Sequence, residues 1–132
     1  MGMVDALYEA KRALRPGGTL IDLRPDSSHP PRVLRGRADV GGLYERRSAI
    51  ADNNASDRAV ARLVRGGSLK RLRAGHFWYE IRYTDLAALL RFLEGSLRIG
   101  GFTRGTRAAL AQDPARPIVL RRALAYGIYE RR

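Results

Sequence analysis

The stretch EAKRALRPGGTLIDLRPD, residues 9–26, decides the fold class. Lys11 and Arg12 are cations, which favour the last turn of a helix because they face the negative end of its dipole. Pro16 and the two glycines after it end that helix and turn the chain. The segment TLIDL (19–23) is apolar enough to predict a short buried strand, covered on both faces. This succession predicts an α/β or α+β fold, in which a mixed sheet is flanked by helices.

Hydrophobic periodicity outlines the remaining elements. In HFWYEIRYTD (76–85), Phe77 and Tyr79 point to one face of a predicted strand, whereas His76 and Trp78 point to the other. Ser48 and Asp85 are of the type that caps a helix N-terminus. The predicted helices cover 3–14 and 48–65, a Leu-rich stretch from Asp85 that reaches Leu97, and 106–113. The predicted strands cover 19–23, 32–35, 40–44, 76–85 and 117–132, and 98–105 is a predicted loop.

Composition limits the class of protein. With 132 residues, 45% of them hydrophobic, the chain predicts one domain over residues 1–132. No apolar run reaches the roughly 18 residues of a membrane-spanning helix, and the charged start is atypical of a secretory signal. We therefore expect a cytoplasmic protein that does not bind membranes. The absence of cysteine excludes disulfides and thiolate chemistry.

The net charge of +12, from 25 basic and 13 acidic residues, has two interpretations. One is affinity for the phosphates of nucleic acid, and the other is a composition rich in Arg, Ala, Gly and Leu without functional meaning. Between residues 58 and 73 there are six basic residues and no acidic one, and the aromatic strand follows. Basic groups beside aromatic rings could hold a single strand, or they could form a solvated helix face. The candidate nucleic-acid residues are Arg58, Arg62, Arg65, Lys70, Arg71 and Arg73.

Other chemistry has weak support in the sequence. His76 and Glu80 share a strand face, which favours a cross-strand polar pair over a metal site, and His29 lies far away in sequence. Gly100 and Gly105 have the spacing of a phosphate-binding loop, but Thr106 stands where its lysine belongs. No serine has the setting of a nucleophile elbow. We predict no metal ligands and no catalytic residues.

The stretch ALYEAKRALRPGGTLIDLRP (6–25) resembles class I S-adenosylmethionine-dependent methyltransferases, where a segment ending in LRPGG enters a late strand of a Rossmann-like sheet. The following segments resemble the C-terminal part of that family in order. They are a variable insert, the helix ADNNASDRAVARLVRGG (51–67), the strand FWYEIRYTD (77–85), a Leu-rich segment and a terminal strand.

This resemblance implies a partial domain. The family's Gly-rich cofactor loop and the acidic residue that binds the ribose lie upstream of LRPGG, and residues 1–8 cannot hold them. We therefore expect no cofactor for this chain alone, and S-adenosylmethionine only if a partner completes the domain. The loop after the LRPGG strand borders the acceptor site in the family, so Arg24, Asp26 and His29 are the substrate-loop candidates, with a solvated loop as the alternative.

A half sheet exposes an apolar edge, which invites pairing. The expected function is therefore a methyltransferase-like protein that is inactive by itself. It would act as a homodimer, dock on a chain that supplies the first half, or adopt a changed topology in which the terminal strands cover the gap. The alternative is a small basic nucleic-acid-binding protein.

Overall fold

The computed structural model describes residues 2–132, and these residues form four helices and six strands. The helices are α1 (Met3–Ala13), α2 (Arg47–Arg65), α3 (Leu86–Gly95) and α4 (Thr106–Ala111). The strands are β1 (Thr19–Pro25), β2 (Arg32–Arg35), β3 (Ala38–Glu45), β4 (Leu69–Tyr83), β5 (Ile99–Phe102) and β6 (Ile118–Arg131). The predicted class, a sheet with flanking helices in an α+β chain, is confirmed.

The sheet is built around β6. Along one edge β6 pairs with β4 over the full length of both strands, with a bulge at Leu72. Along its other edge β6 pairs with β1 near its C-terminal end and with β2 near its N-terminal end, and the sheet continues through β3 to β5. Every pairing within residues 2–132 is antiparallel, so the prediction of a mixed sheet is wrong, because the terminal strand β6 inserts between β1 and β4 and keeps these two from pairing. Since β1 and β4 both run antiparallel to β6, these two strands are parallel to each other without being neighbours.

The two pairs of helices cover opposite faces of the sheet. Leu120 and Tyr129 are separated by an odd number of residues along β6 and therefore point to opposite faces. Leu120 packs in a core with the buried leucines of α3 and α4, whereas Tyr129 packs in a second core with residues of α1 and α2. We call these the α3/α4 face and the α1/α2 face. Each helix pair covers one end of β6 only.

The LRPGG turn has the conformation that its sequence predicts. Gly17 has a φ of +81°, in the left-handed region that glycine adopts at little cost. Its backbone N–H donates to the carbonyl oxygen of Arg131 at 2.7 Å, and the Arg131 side chain donates to the carbonyl oxygen of Leu14. The turn is thereby fixed to the end of β6, and β1 enters the sheet beside it.

Of the two residues predicted to cap helix N-termini, the structure confirms one. The predicted cap Asp85 is confirmed, because its carboxylate accepts a hydrogen bond from the Ala88 N–H at 2.8 Å. Ser48 is wrong as a cap, since α2 begins at Arg47. The start is set instead by β3, because the Arg46 N–H donates to the carbonyl oxygen of Arg98 at 2.6 Å and carries the chain from the sheet directly into the helix.

Three further segments differ from the sequence prediction. The predicted loop 98–105 contains β5, which pairs with β3, and a side chain on Gly100 would overlap the Tyr44 ring that packs there. Helix α3 ends at Gly95, because the Ser96 hydroxyl accepts the Ile99 N–H and turns the chain into β5. Leu97 therefore lies outside the helix and is 88% exposed.

The strand predicted from residue 76 begins at Leu69, which is buried in the core beneath α1 and α2.

None of the helices formed by residues 2–132 has both the length and the apolarity to cross a lipid bilayer.

Candidate functional site

The loop after β1 is held onto the sheet by Asp26. Its backbone N–H donates to the carbonyl oxygen of Ala123 on β6 at 3.0 Å. One carboxylate oxygen accepts the Ser28 N–H at 2.9 Å, and the other lies 2.8 Å from Nδ1 of His29. A short acidic side chain that bonds the backbone two residues on is a typical turn former. Asp26 therefore fixes both the loop and the ring of His29.

His29 lies against two aromatic residues of β4. Its ring stacks on the ring of His76 with centroids 4.4 Å apart and meets Trp78 edge-on at 5.7 Å. The pairing register places His76 opposite Ala125 and Trp78 opposite Ala123, all on the α1/α2 face. Because the two alanines have small side chains, the loop can lie close to the sheet beside these rings.

Asp26, His29 and His76 form a compact polar cluster. One ligand atom from each, a carboxylate oxygen or a ring nitrogen, lies within 4.8 Å of the other two. Asp26 and His29 are half-buried and His76 is exposed. Glu80, which shares a strand face with His76, lies opposite Arg121 and forms a cross-strand polar pair of the kind that the sequence favours. The structure therefore brings together the two histidines that are distant in sequence.

Trp78 is covered by its neighbours. The guanidinium carbon of Arg121 lies 5.0 Å from the centroid of the Trp78 ring, within the range of a cation–π interaction. With His29 at its edge, the ring is half-buried. Trp78 therefore lies beside the cluster, in contact with His29 and Arg121.

Arg24 links β1 to α2. Its guanidinium donates to the carboxylates of Asp22 and Asp57 at 2.8 and 2.7 Å and to the carbonyl oxygen of Asn53 at 3.0 Å. Burial acts to lower the pKa of Arg24, but the hydrogen bonds and charges of Asp22 and Asp57 outweigh it, so the pKa lies above its ordinary value. Of the three substrate-loop candidates, Asp26 and His29 lie together, whereas the donors of Arg24 are used within the fold.

The six candidate nucleic-acid residues lie on several surfaces. Arg58, Arg62 and Arg65 are exposed on α2. The register of β4 places Arg71 opposite Tyr129 on the α1/α2 face. Lys70 and Arg73 lie opposite Glu130 and Ile128 and thus on the α3/α4 face.

An apolar surface lies on the α3/α4 face, at the end of β6 that α3 and α4 do not cover. Ile21, Leu23 and Phe77 are 64%, 54% and 45% exposed there. The register places them opposite Ile128, Tyr126 and Leu124. We call these residues the open patch, which consists of Ile21, Leu23, Phe77, Leu124, Tyr126 and Ile128. The prediction that β1 is covered on both faces is therefore wrong, because both helices next to it lie on one face.

A groove borders the same strand on the α1/α2 face. It has a volume of about 260 Å³ and lies between α1, α2 and β1. The buried Ser56 lines this groove, and no atom within residues 2–132 makes a hydrogen bond to its hydroxyl. Strand β1 pairs with β6 on one side, and its other side has no strand partner within residues 2–132. Both the edge and one face of β1 are thus exposed.

No family model, curated protein or solved structure matches this chain. The roles of its residues therefore rest on the geometry described above.

Proposed function

We propose that these residues form the second half of a class I S-adenosylmethionine-dependent methyltransferase fold. Alone, this half neither binds the cofactor nor transfers methyl groups, and it acts as an oligomer or as a subunit. The observation that carries the proposal is the position of β6, which lies between β1 and β4 and runs antiparallel to both.

The strand order supports this assignment. The resemblance implies that the strand after the LRPGG turn, the terminal strand and the strand at 77–85 belong to one sheet. In this chain those three strands are β1, β6 and β4. The helices before and after β1 pack together on one face, and α2 connects the parallel strands β1 and β4. The hairpin of β2 and β3 then corresponds to the variable insert.

The turn at Gly105 is packed rather than open, which supports the proposal that these residues lack a cofactor loop. Such a loop carries the chain from a strand into a helix and leaves backbone N–H groups free for the ligand. Gly105 does lie between β5 and α4. There, however, the hydroxyls of Thr103 and Thr106 accept the Gly42 N–H at 3.2 and 3.1 Å, and they lie 2.9 Å from each other. This turn is packed against β3, so it does not form an open cradle.

The free edge of β1 and the open patch indicate where the fold is completed. An unpaired strand with an exposed apolar face favours association with another chain. In a complete methyltransferase fold, the first half of the sheet would continue from this edge. For the isolated chain we propose that a second copy pairs there, because a two-fold axis joins identical surfaces without an additional partner.

Isothermal titration calorimetry with S-adenosylmethionine tests the cofactor part of the proposal. We expect no binding at micromolar concentrations for the purified chain, and none for S-adenosylhomocysteine. Saturable micromolar binding of either ligand would show that these residues contain a cofactor site and would overturn the assignment.

A further inference from the structure

We propose that Asp26, His29 and His76 bind a divalent transition-metal ion such as Zn²⁺, on the α1/α2 face beside Trp78. The inference is independent of the methyltransferase assignment, because it concerns three side chains that this chain supplies by itself.

The distances within the cluster are close to those of a metal site. A tetrahedral ion with nitrogen and oxygen ligands at about 2.0–2.1 Å separates its ligand atoms by about 3.3 Å. Here the three ligand atoms lie within 4.8 Å of one another, and those of Asp26 and His29 are 2.8 Å apart. Closing the cluster around an ion therefore requires side-chain movements of roughly 1–2 Å. His76 is exposed and can rotate to make this movement.

The loop holds one ligand in place. The backbone N–H of Asp26 is bonded to Ala123, and one of its carboxylate oxygens accepts the Ser28 N–H. The second oxygen lies 2.8 Å from Nδ1 of His29 and is the carboxylate atom that remains for a metal ion. When the ion binds, the His29–Asp26 hydrogen bond is replaced by two bonds to the metal. His29 then carries its proton on Nε2, and any extra proton on either histidine passes to solvent.

The ligand types select the kind of ion. Two imidazoles and one carboxylate suit Zn²⁺, Co²⁺, Ni²⁺ or Fe²⁺, whereas Mg²⁺ and Ca²⁺ prefer oxygen ligands alone. No Lys or Arg side chain within residues 2–132 donates a hydrogen bond to any of the three. Three protein ligands leave at least one coordination position for water or another ligand, as in open zinc sites.

Cobalt and zinc titrations test this proposal on the intact chain after removal of metal with a chelator. Co²⁺ should produce visible absorption that saturates at one ion per chain, and Zn²⁺ should displace it. His76→Ala should weaken Zn²⁺ binding by more than about tenfold, a loss at least as large as removal of an outer-shell partner produces. Glu80→Gln, on the same face of β4 but outside the cluster, is the matched control and should leave binding unchanged.

A second measurement separates metal binding from effects on folding. In NMR spectra of the unmodified chain, Zn²⁺ should shift the imidazole resonances of His29 and His76 together, with saturation at one equivalent. Absence of a one-to-one titration would overturn the proposal. The same conclusion follows if His76→Ala and Glu80→Gln bind Zn²⁺ equally well, or if only one of the two histidines responds.

Discussion

The two ends of β6 each leave one face of the sheet uncovered, and the two uncovered faces differ in character. On the α1/α2 face, near the N-terminal end of β6, the uncovered residues Arg32, Glu80, Arg82 and Arg121 are charged and exposed. On the α3/α4 face, near the C-terminal end, the uncovered residues are those of the open patch. A charged face is stable in water, whereas contiguous exposed apolar residues favour burial against another surface. The comparison therefore places the exposed apolar face of the described residues at the end of β6 that pairs with β1.

The largest expected effect is the difference in stability loss between a substitution in the covered core and one in the open patch. Leu120→Ala should lower the free energy of unfolding by about 2–5 kcal/mol, because Leu120 is fully buried beneath α3 and α4. Ile21→Ala should cost less than about 1 kcal/mol in the monomer, since its side chain is largely exposed. Urea denaturation at low protein concentration measures both. Equal losses would mean that the open patch is covered within a single chain.

The link between β1 and α2 should produce the next largest effect. Arg24→Ala leaves the half-buried carboxylate of Asp22 and the carbonyl oxygen of Asn53 without their donor. We expect a loss of about 1–3 kcal/mol, which is typical of buried polar groups deprived of a partner. Arg58→Ala on the exposed side of α2 is the matched control and should stay within about 0.5 kcal/mol of the unmodified chain. If Arg24→Ala left the free energy of unfolding unchanged, the structural role would be contradicted, and Arg24 would again be a candidate for substrate contact.

Local patterns in the sequence predicted much of this fold. Strand β2, the apolar alternation in β4 and the Asp85 cap depend on neighbouring residues, and the structure shows all three. Strand β5 was not predicted because adjacent glycines are typical of a loop. The structure gives the reason for them, since the Tyr44 ring packs where their side chains would lie. The start of β4 was missed because residues 70–76 are exposed and show no alternation.

The histidine pair could not be predicted from spacing. Asp26 follows the end of β1, and His76 lies within β4, so the two meet only because both strands pair with β6. The Ala125 partner of His76 was visible in the sequence as a small residue within a strand. Its position opposite His76 depends on the pairing register of β4 and β6, which local sequence patterns do not specify. The unpaired edge of β1, in contrast, was expected from the resemblance.

The smallest loss of stability is expected for a substitution on the charged, uncovered part of the α1/α2 face. The exposed guanidinium of Arg32 hydrogen-bonds Asp39, which lowers the pKa of Asp39 below its ordinary value of 3.8. This contribution to stability is present above that value and is lost as the pH falls through the lowered pKa. Arg32→Ala should therefore cost less than about 1 kcal/mol at pH 7 and a smaller amount at pH 2, where Asp39 is more protonated. Thermal unfolding at both pH values measures it, and an equal loss at pH 2 would show that the effect is not the ion pair.

Size-exclusion chromatography with light scattering tests the central claim most directly, because that claim is that β1 and the open patch require a partner. At micromolar concentration the unmodified chain should have the mass of a dimer, twice 14.7 kDa. A variant with Ile21→Glu and Leu23→Glu should be monomeric. Leu97→Glu, at an exposed leucine outside the patch, should remain dimeric. A monomeric unmodified chain at that concentration would contradict the account.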